Sequence, residues 1–241
     1  MIRLDKYLAN MDVGTRQEVK KMIRQGLVTV DDKVVKSGDL KIDEDSSVVK
    51  VRGEEIGFVR EVYYMLHKPA GVISATEDRR EKTILDLMKD AKGKNLFPVG
   101  RLDKDTEGLL LVTNDGMLAH NLLSPKKHVD KVYYAHVKGF VTEKDVERFA
   151  AGLDIGSEEQ PEPVKPGKLV ILKSDEISEI RLTIQEGKFH QVKRMFEAVG
   201  KEVIYLKRES MGPLVLDEAL AKGEYRELTD EERNSLLRVN V

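Results

Sequence analysis

A chain of 241 residues with no cysteine has room for one large domain or two, and excludes a disulfide framework, a thiolate metal site and a cysteine nucleophile. Its net charge of −2, with 35% charged residues, gives no global sign of a polyanionic partner. Residues 1–30 are different: Arg3, Lys6, Arg16, Lys20, Lys21 and Arg24 face only Asp5, Asp12 and Glu18, and a nucleic-acid footprint is a local field rather than a whole-chain balance. Residues 1–25 lack the apolar core of a secretory signal, and no run approaches the ~18 apolar residues of a membrane span, so a cytoplasmic protein is expected.

In chain order, "IRLDKYLANM" places Leu4, Leu8 and Met11 at helical spacing. "TRQEVKKMIRQG" predicts a second helix, with Val19, Met22 and Ile23 on one side and Arg16, Lys20 and Arg24 on another. Thr15 suits its N-cap and Gly26 its stop. "LVTVDDKVVK" reads as a hairpin turned at Asp31–Lys33, and "SSVVKVRG" as a further strand. From Gly53 to Gly57 the chain turns short and polar, which suggests a domain boundary, placed between residues 58 and 59.

Beyond Val62 the pattern changes. "EVYYMLHKPAGVISA" begins as a strand and ends in a Pro-Ala-Gly turn, "GLLLVTND" is a buried strand, and "KVYYAHVKG" alternates with Tyr133, Ala135 and Val137 on one side. "TEKDVERFAAG" is a helix closed by Gly152. "SEIRLTIQEG" alternates through Ile180, Leu182 and Ile184, and "FHQVKRMFEAVG" sets Val192, Met195, Phe196 and Val199 on one helical face. Helices and strands do not alternate as βαβ units, so an α+β fold with a mainly antiparallel sheet is expected.

Several chemistries lack support. The five histidines form no H-E-x-x-H or other short metal spacing, Ser74, Ser124 and Ser210 lack a G-x-S-x-G elbow, and no Gly-rich phosphate loop is present. Asp103 and Asp105 could be read as a glycosidase pair. Nearby carboxylates are common by chance and the chain has no sugar-stacking tryptophan, so with Glu107 and Asp115 they read more readily as turn and cap residues, although spacing alone does not decide. The charged side of the second helix (Arg16, Lys20, Lys21, Arg24) is either a solvated face or a phosphate-binding one.

Resemblance adds what spacing cannot. "RLDKYLANMDVGTRQEVKKMIRQGLVTVDDKVVKSG" resembles the S4 RNA-binding domain, in which paired helices and a loop present basic side chains to phosphates. "HKPAGVISA", "GRLDKDTEGLLLVTNDG", "SPKKHVDKVYYAHV", "EGKFHQVKRMF" and "LKRESMGPLVLDEALAKGEYRELTDEE" then follow in the order of the RsuA/RluB/E/F family of RNA pseudouridine synthases. The resemblance spans nearly the whole chain and is similar most of all to the small-subunit ribosomal RNA branch.

The resemblance implies an S4-like RNA-binding domain at 1–58 and a pseudouridine synthase catalytic domain at 59–241. It places the essential carboxylate at Asp103, a base-packing tyrosine at Tyr133 and a cation for Asp103 at Lys193. Arg101 becomes the side chain entering the space that a flipped uridine leaves, and Lys68 and Pro69 shape the pocket wall. Without the motifs, Lys193 reads as a surface lysine and Tyr133 as a core aromatic, the role then expected of Tyr134; Asp105, Glu107 and Asp115 return to turn, cap and hairpin duties.

Pseudouridine formation breaks the ribose C1′ to uracil N1 bond, turns the base, rejoins it through C5 and releases the C5 proton. No cofactor or metal is called for. An ionised carboxylate beside the sugar can attack C1′, stabilise an oxocarbenium-like species or take the 2′ proton. The implied partner is ribosomal RNA or a ribosome assembly intermediate, with no membrane and no nucleotide cofactor. With no long basic tail after Val241, a small-subunit uridine in a locally opened element is expected. The alternatives are a large-subunit enzyme of the same family and a non-catalytic ribosome-assembly RNA-binding protein.

Overall fold

The computed structural model describes all residues except 12, 44–45, 57–60, 125–126 and 239–241. Two compact units divide the chain, Met1–Arg60 and Glu61–Val241. The boundary expected between residues 58 and 59 falls outside the described residues.

The first unit runs β1 (Ile2–Arg3), α1 (Leu4–Asn10), α2 (Arg16–Arg24), β2 (Val28–Val30), β3 (Lys33–Val34), β4 (Lys41–Ile42), β5 (Val49–Val51) and β6 (Glu54–Ile56). Leu4, Tyr7 and Leu8 of α1 bury against Val19 and Ile23 of α2 and against Val28, Ile42 and Val49. Thr15 and Glu18 close α2 with a reciprocal capping box, as the residue types require. β2 and β3 are joined by Asp31 and Asp32 alone, both with positive φ, the two-residue turn whose twist matches antiparallel strands. Arg52 and Gly53 repeat that turn between β5 and β6. The polar stretch after Gly53, where the sequence suggested a domain boundary, is therefore the edge strand β6; it looks polar because both of its glutamates are exposed.

The second unit contains β7 (Tyr63–Lys68), β8 (Phe97–Pro98), β9 (Glu107–Thr113), α3 (Gly116–Leu123), β10 (Lys131–Lys138), α4 (Glu143–Ala151), β11 (Lys168–Lys173), β12 (Ile177–Ile184), α5 (Gln191–Glu197), β13 (Glu202–Met211), β14 (Leu214–Val215), β15 (Tyr225–Glu227) and α6 (Asp230–Arg238). Its main sheet has the order β11-β12-β10-β13-β9-β7-β15, with β14 on β13 and β8 on β9. Every pairing is antiparallel except β13 with β9, where Lys207 and Arg208 lie beside Glu107 and Gly108. Among the described residues no helix is long and apolar enough to cross a membrane.

Apolar periodicity follows from what covers each face. β7 and β9 are buried on both sides: Leu66, Leu110 and Val112 enter one core, and Met65, Leu109 and Leu111 the other. They read as continuous apolar runs. β10 and β12 bury one side only, Tyr133, Ala135 and Val137 with Ile180, Leu182 and Ile184, and so they alternate. β13 escaped sequence reading because Glu202, Lys207, Arg208 and Glu209 interrupt its ten residues, although strands pair with it on both sides.

Gly108 makes the parallel seam possible. Its φ is +107°, and a Cβ there would lie 2.2 Å from the Arg208 carbonyl oxygen, a backbone atom that cannot move aside cheaply. Gly108→Ala is therefore expected to destabilise the second unit by on the order of 3 kcal/mol, read as a lowered urea midpoint, whereas Gly116→Ala, at an ordinary φ with nothing within 4 Å of the added methyl, should leave it nearly unchanged.

Candidate active site

The turn 101–106 enters β9 at the seam, and its backbone is held from beneath by a lysine. Lys68, the last residue of β7, is 0% exposed, and its Nζ donates to the carbonyl oxygens of Pro69 (3.0 Å), Asp103 (3.0 Å) and Thr106 (2.9 Å), with that of Lys104 at 3.4 Å. A buried ammonium with no carboxylate against it is tolerable because these dipoles replace its water. Ser74 completes the clamp: its Oγ donates to the Leu102 carbonyl (2.8 Å) and accepts from the Leu102 amide (3.0 Å). Gly71 N donates to Lys104 O at 2.7 Å. Sequence reading had put Lys68 in the pocket wall; its side chain instead braces the turn from inside the protein.

Above this base, Asp103 opens into a pocket lined by Arg101, Tyr133, Ile184, Lys188, His190 and Leu206, among others. The Asp103 side chain is 26% exposed, with Lys193 Nζ 3.4 Å from Oδ2 and His190 Nε2 3.6 Å from Oδ1. Lys193 comes from α5, whose Val192, Met195 and Phe196 are in the core, so one helix packs and presents a cation. The ammonium does not belong to Asp103 alone. Its shorter contact, 2.6 Å, is to Asp105 Oδ1, which lies 71% exposed, and this hydrogen bond holds the Asp105 carboxyl below the usual range.

Two further carboxylates were expected to have plain turn, cap or hairpin duties. Asp115 does cap α3, accepting from Leu118 N at 2.9 Å. Glu107 is instead nearly buried; burial opposes its ionisation, yet Lys222 (2.7 Å) and the Tyr205 hydroxyl (2.8 Å) outweigh that and hold it below the usual range. Tyr133 is buried along the pocket, whereas Tyr134 faces the other side of the sheet. Tyr134 was expected in the core; it joins neither core cluster, and forms an edge-on group with His136 and Tyr205 at the open face. Its hydroxyl donates to Glu179 at 2.6 Å, which pushes it up to about 12.

His190 and Gln191 were not singled out from the sequence. His190 adopts a left-handed backbone with φ +50°, and buried Gln191 accepts from Lys188 N (2.9 Å) and donates to Glu186 (2.9 Å), fixing the loop that borders the pocket. Neither motif spacing nor periodicity marks a residue whose role is to hold a loop.

In the first unit, α2 carries Arg16, Lys21 and Arg24 exposed and without partners among the described residues. Lys20 differs: its Nζ lies 3.6 Å from the buried Asp5 carboxylate, which Arg3 also binds through two hydrogen bonds. Among the described residues no group of three or more His, Asp or Glu side chains is arranged to hold a metal ion.

One carboxylate opening into a pocket beside a cation and a buried tyrosine is a place for chemistry on a bound group, and comparison with known proteins makes the class specific. Residues 2–48 match the S4 domain, and residues 62–198 match the RNA pseudouridylate synthase model. The chain belongs to the RNA pseudouridine synthase family. It is 50% identical over 237 residues, 98% of each chain, to an uncharacterized RNA pseudouridine synthase of Bacillus subtilis (strain 168). The ribosomal small subunit pseudouridine synthase A of Vibrio parahaemolyticus is 43% identical across 98% of this chain and 99% of that one. The ribosomal large subunit pseudouridine synthase B of Bacillus subtilis is 41% identical across 96% and 94%. A crystal structure of a pseudouridylate synthase superposes with a TM-score of 0.68 at 38% identity, covering 98% of this chain and all of the other.

Burial pushes the Lys68 ammonium down to about 8 from 10.5, and Lys131, buried near Arg208, also falls to about 8. Between those values the unfolded chain keeps protons that the folded chain has released, so both lysines make stability rise with pH across that window. Lys68→Met should remove about half of that rise in urea unfolding from pH 8 to 10.5. At pH 7 it should destabilise the protein by about 2–4 kcal/mol, because buried carbonyls lose their donor.

Proposed function

We propose that this enzyme isomerises one uridine of ribosomal RNA, in the small subunit, to pseudouridine, with Asp103 as the essential carboxylate. The observation that carries this reading is the placement of Asp103 in the pocket, beside Tyr133 and within 3.4 Å of the Lys193 ammonium. The 43% identity to a small-subunit enzyme supports the choice of substrate. Residues 1–58 act as the RNA-binding domain, with Arg16, Lys20, Lys21 and Arg24 toward phosphates, and residues 59–241 as the catalytic domain.

In this reading the uridine is flipped into the pocket and Arg101 takes its place in the RNA. Tyr133 lies against the base, a contact that tolerates rotation because stacking has no directional bond. Asp103 acts at the sugar, with Lys193 favouring its ionised form. Once N1 has parted from C1′ the base turns, C5 bonds to C1′, and the C5 proton leaves to solvent. The target lies where RNA is already irregular or an assembly intermediate leaves it open, since extruding a base costs least there. The 41% identity to a large-subunit enzyme favours large-subunit RNA as the second reading.

Asp103→Asn should lower tritium release from C5-labelled uridine RNA by about 10³-fold or more, the scale of a lost essential group, with RNA affinity changed only several-fold. Asp105→Asn should stay active. Reversed phenotypes would move the role to Asp105. Incubating the protein with unmodified small- and large-subunit RNA, naked and partly assembled, and mapping pseudouridine tests the substrate: modification confined to large-subunit RNA rejects the small-subunit assignment.

A further inference from the structure

The loop that borders the pocket exposes a large aromatic side chain that nothing in the fold requires. Phe189 is 74% exposed, and its ring stacks on that of His190 with centroids 3.8 Å apart and planes 17° from parallel. His190 in turn reaches within 3.6 Å of Asp103, so the two rings extend outward from the catalytic carboxylate. The backbone beneath them is fixed. Gln191 ties Lys188 to Glu186, Gln191 N donates to Lys188 O at 3.2 Å, and Arg194 Nη1 donates to the Phe189 carbonyl at 3.2 Å. A phenyl ring left in water on a rigid loop, with its rotation restricted by a second ring, is preorganised for a partner.

The chemistry of the surroundings narrows that partner. Arg101 lies exposed in the pocket lining with no ion pair among the described residues, and Lys188, whose ammonium also meets Glu162 (3.7 Å) and the Pro163 carbonyl (2.6 Å), lines the same pocket. An apolar protein segment would have to desolvate these groups, whereas a nucleic-acid strand brings a planar π-face for the ring and phosphates for the cations. Extruding the target uridine leaves its neighbour in the strand without one stacking surface. Phe189, the residue just before His190, is placed to supply that surface.

We propose that Phe189, backed by His190, forms a stacking subsite for the nucleobase next to the flipped uridine. The subsite deepens the reading of the enzyme as a ribosomal RNA modifier and rests on it for the identity of the strand. It takes any base, because every base has a π-face, and it acts on binding of the opened strand rather than on choice of sequence.

The chain has no tryptophan, which makes the test direct. The probes are full-length unmodified small- and large-subunit ribosomal RNA transcripts. Phe189→Ala and Phe189→Leu should each weaken binding of the unmodified transcript that serves as substrate by about tenfold, the order expected for one lost base stack. Their urea midpoints should match the parent because the ring is exposed. Phe189→Trp should bind within about twofold of the parent, and its single indole should be quenched as RNA is added. Parent-like affinity in the Ala variant overturns the subsite, as does a Leu variant that binds like the parent, which would make the contact apolar packing, or a Trp variant whose emission ignores bound RNA. Failure of the parent protein to form pseudouridine in either transcript would count against the ribosomal substrate, and RNA-dependent quenching of the Trp variant would still support the stacking site.

Discussion

Everything the pocket does depends on one buried ammonium. Lys68 has no carboxylate against it, and it is held by backbone carbonyls of the turn that carries Asp103 into the pocket. Desolvation makes this arrangement costly and therefore specific: the group is tolerated only where several oxygens converge, so the lysine and the turn define each other's position. A salt bridge in the same place would hold one side chain. The carbonyl set holds a stretch of main chain.

Charge above the turn is shared. Lys193 sits between Asp103 and the more exposed Asp105, nearer the latter, so the cation that serves the pocket is anchored by a carboxylate outside it. Asp105 thereby limits the rotamer freedom of a long side chain. Glu107, two residues on, is committed to Lys222 and Tyr205 on the other face of the sheet. Of three acidic residues at alternate positions, two thus share one ammonium and the third has its own partners, because the turn ends and the pleat of β9 begins among them.

How far the sequence could be read follows from which interactions are local. The Thr15 cap, the stripe of α2 and the alternation of β10 and β12 were legible, since capping and one-sided burial leave regular traces. β6 and β13 were not: one is an edge with exposed glutamates, and the other carries charge on a strand whose pairing partners are far away in sequence. In the site, motif resemblance singled out Asp103, Tyr133 and Lys193, and the structure brings Asp103 together with both. The inward brace of Lys68 and the sharing of Lys193 were illegible. Each depends on where a flexible side chain finds oxygens 35 to 88 residues away, and no local pattern encodes that.

The parallel seam between β9 and β13 has a kinetic consequence. Glu107 pairs with Lys207, a hundred positions along the chain, and the Lys193 contact to Asp105 spans 88. Loop-closure entropy delays such contacts until nearer pairings such as β7 with β9 are in place, so the centre of the sheet closes late in folding. A chain that stops short of β13 already holds Lys68 and Lys193, yet it lacks Leu206 in the pocket lining and Tyr205 beside Glu107. The pocket, whose lining includes Leu206 of β13, is thereby complete only once that strand has joined the sheet.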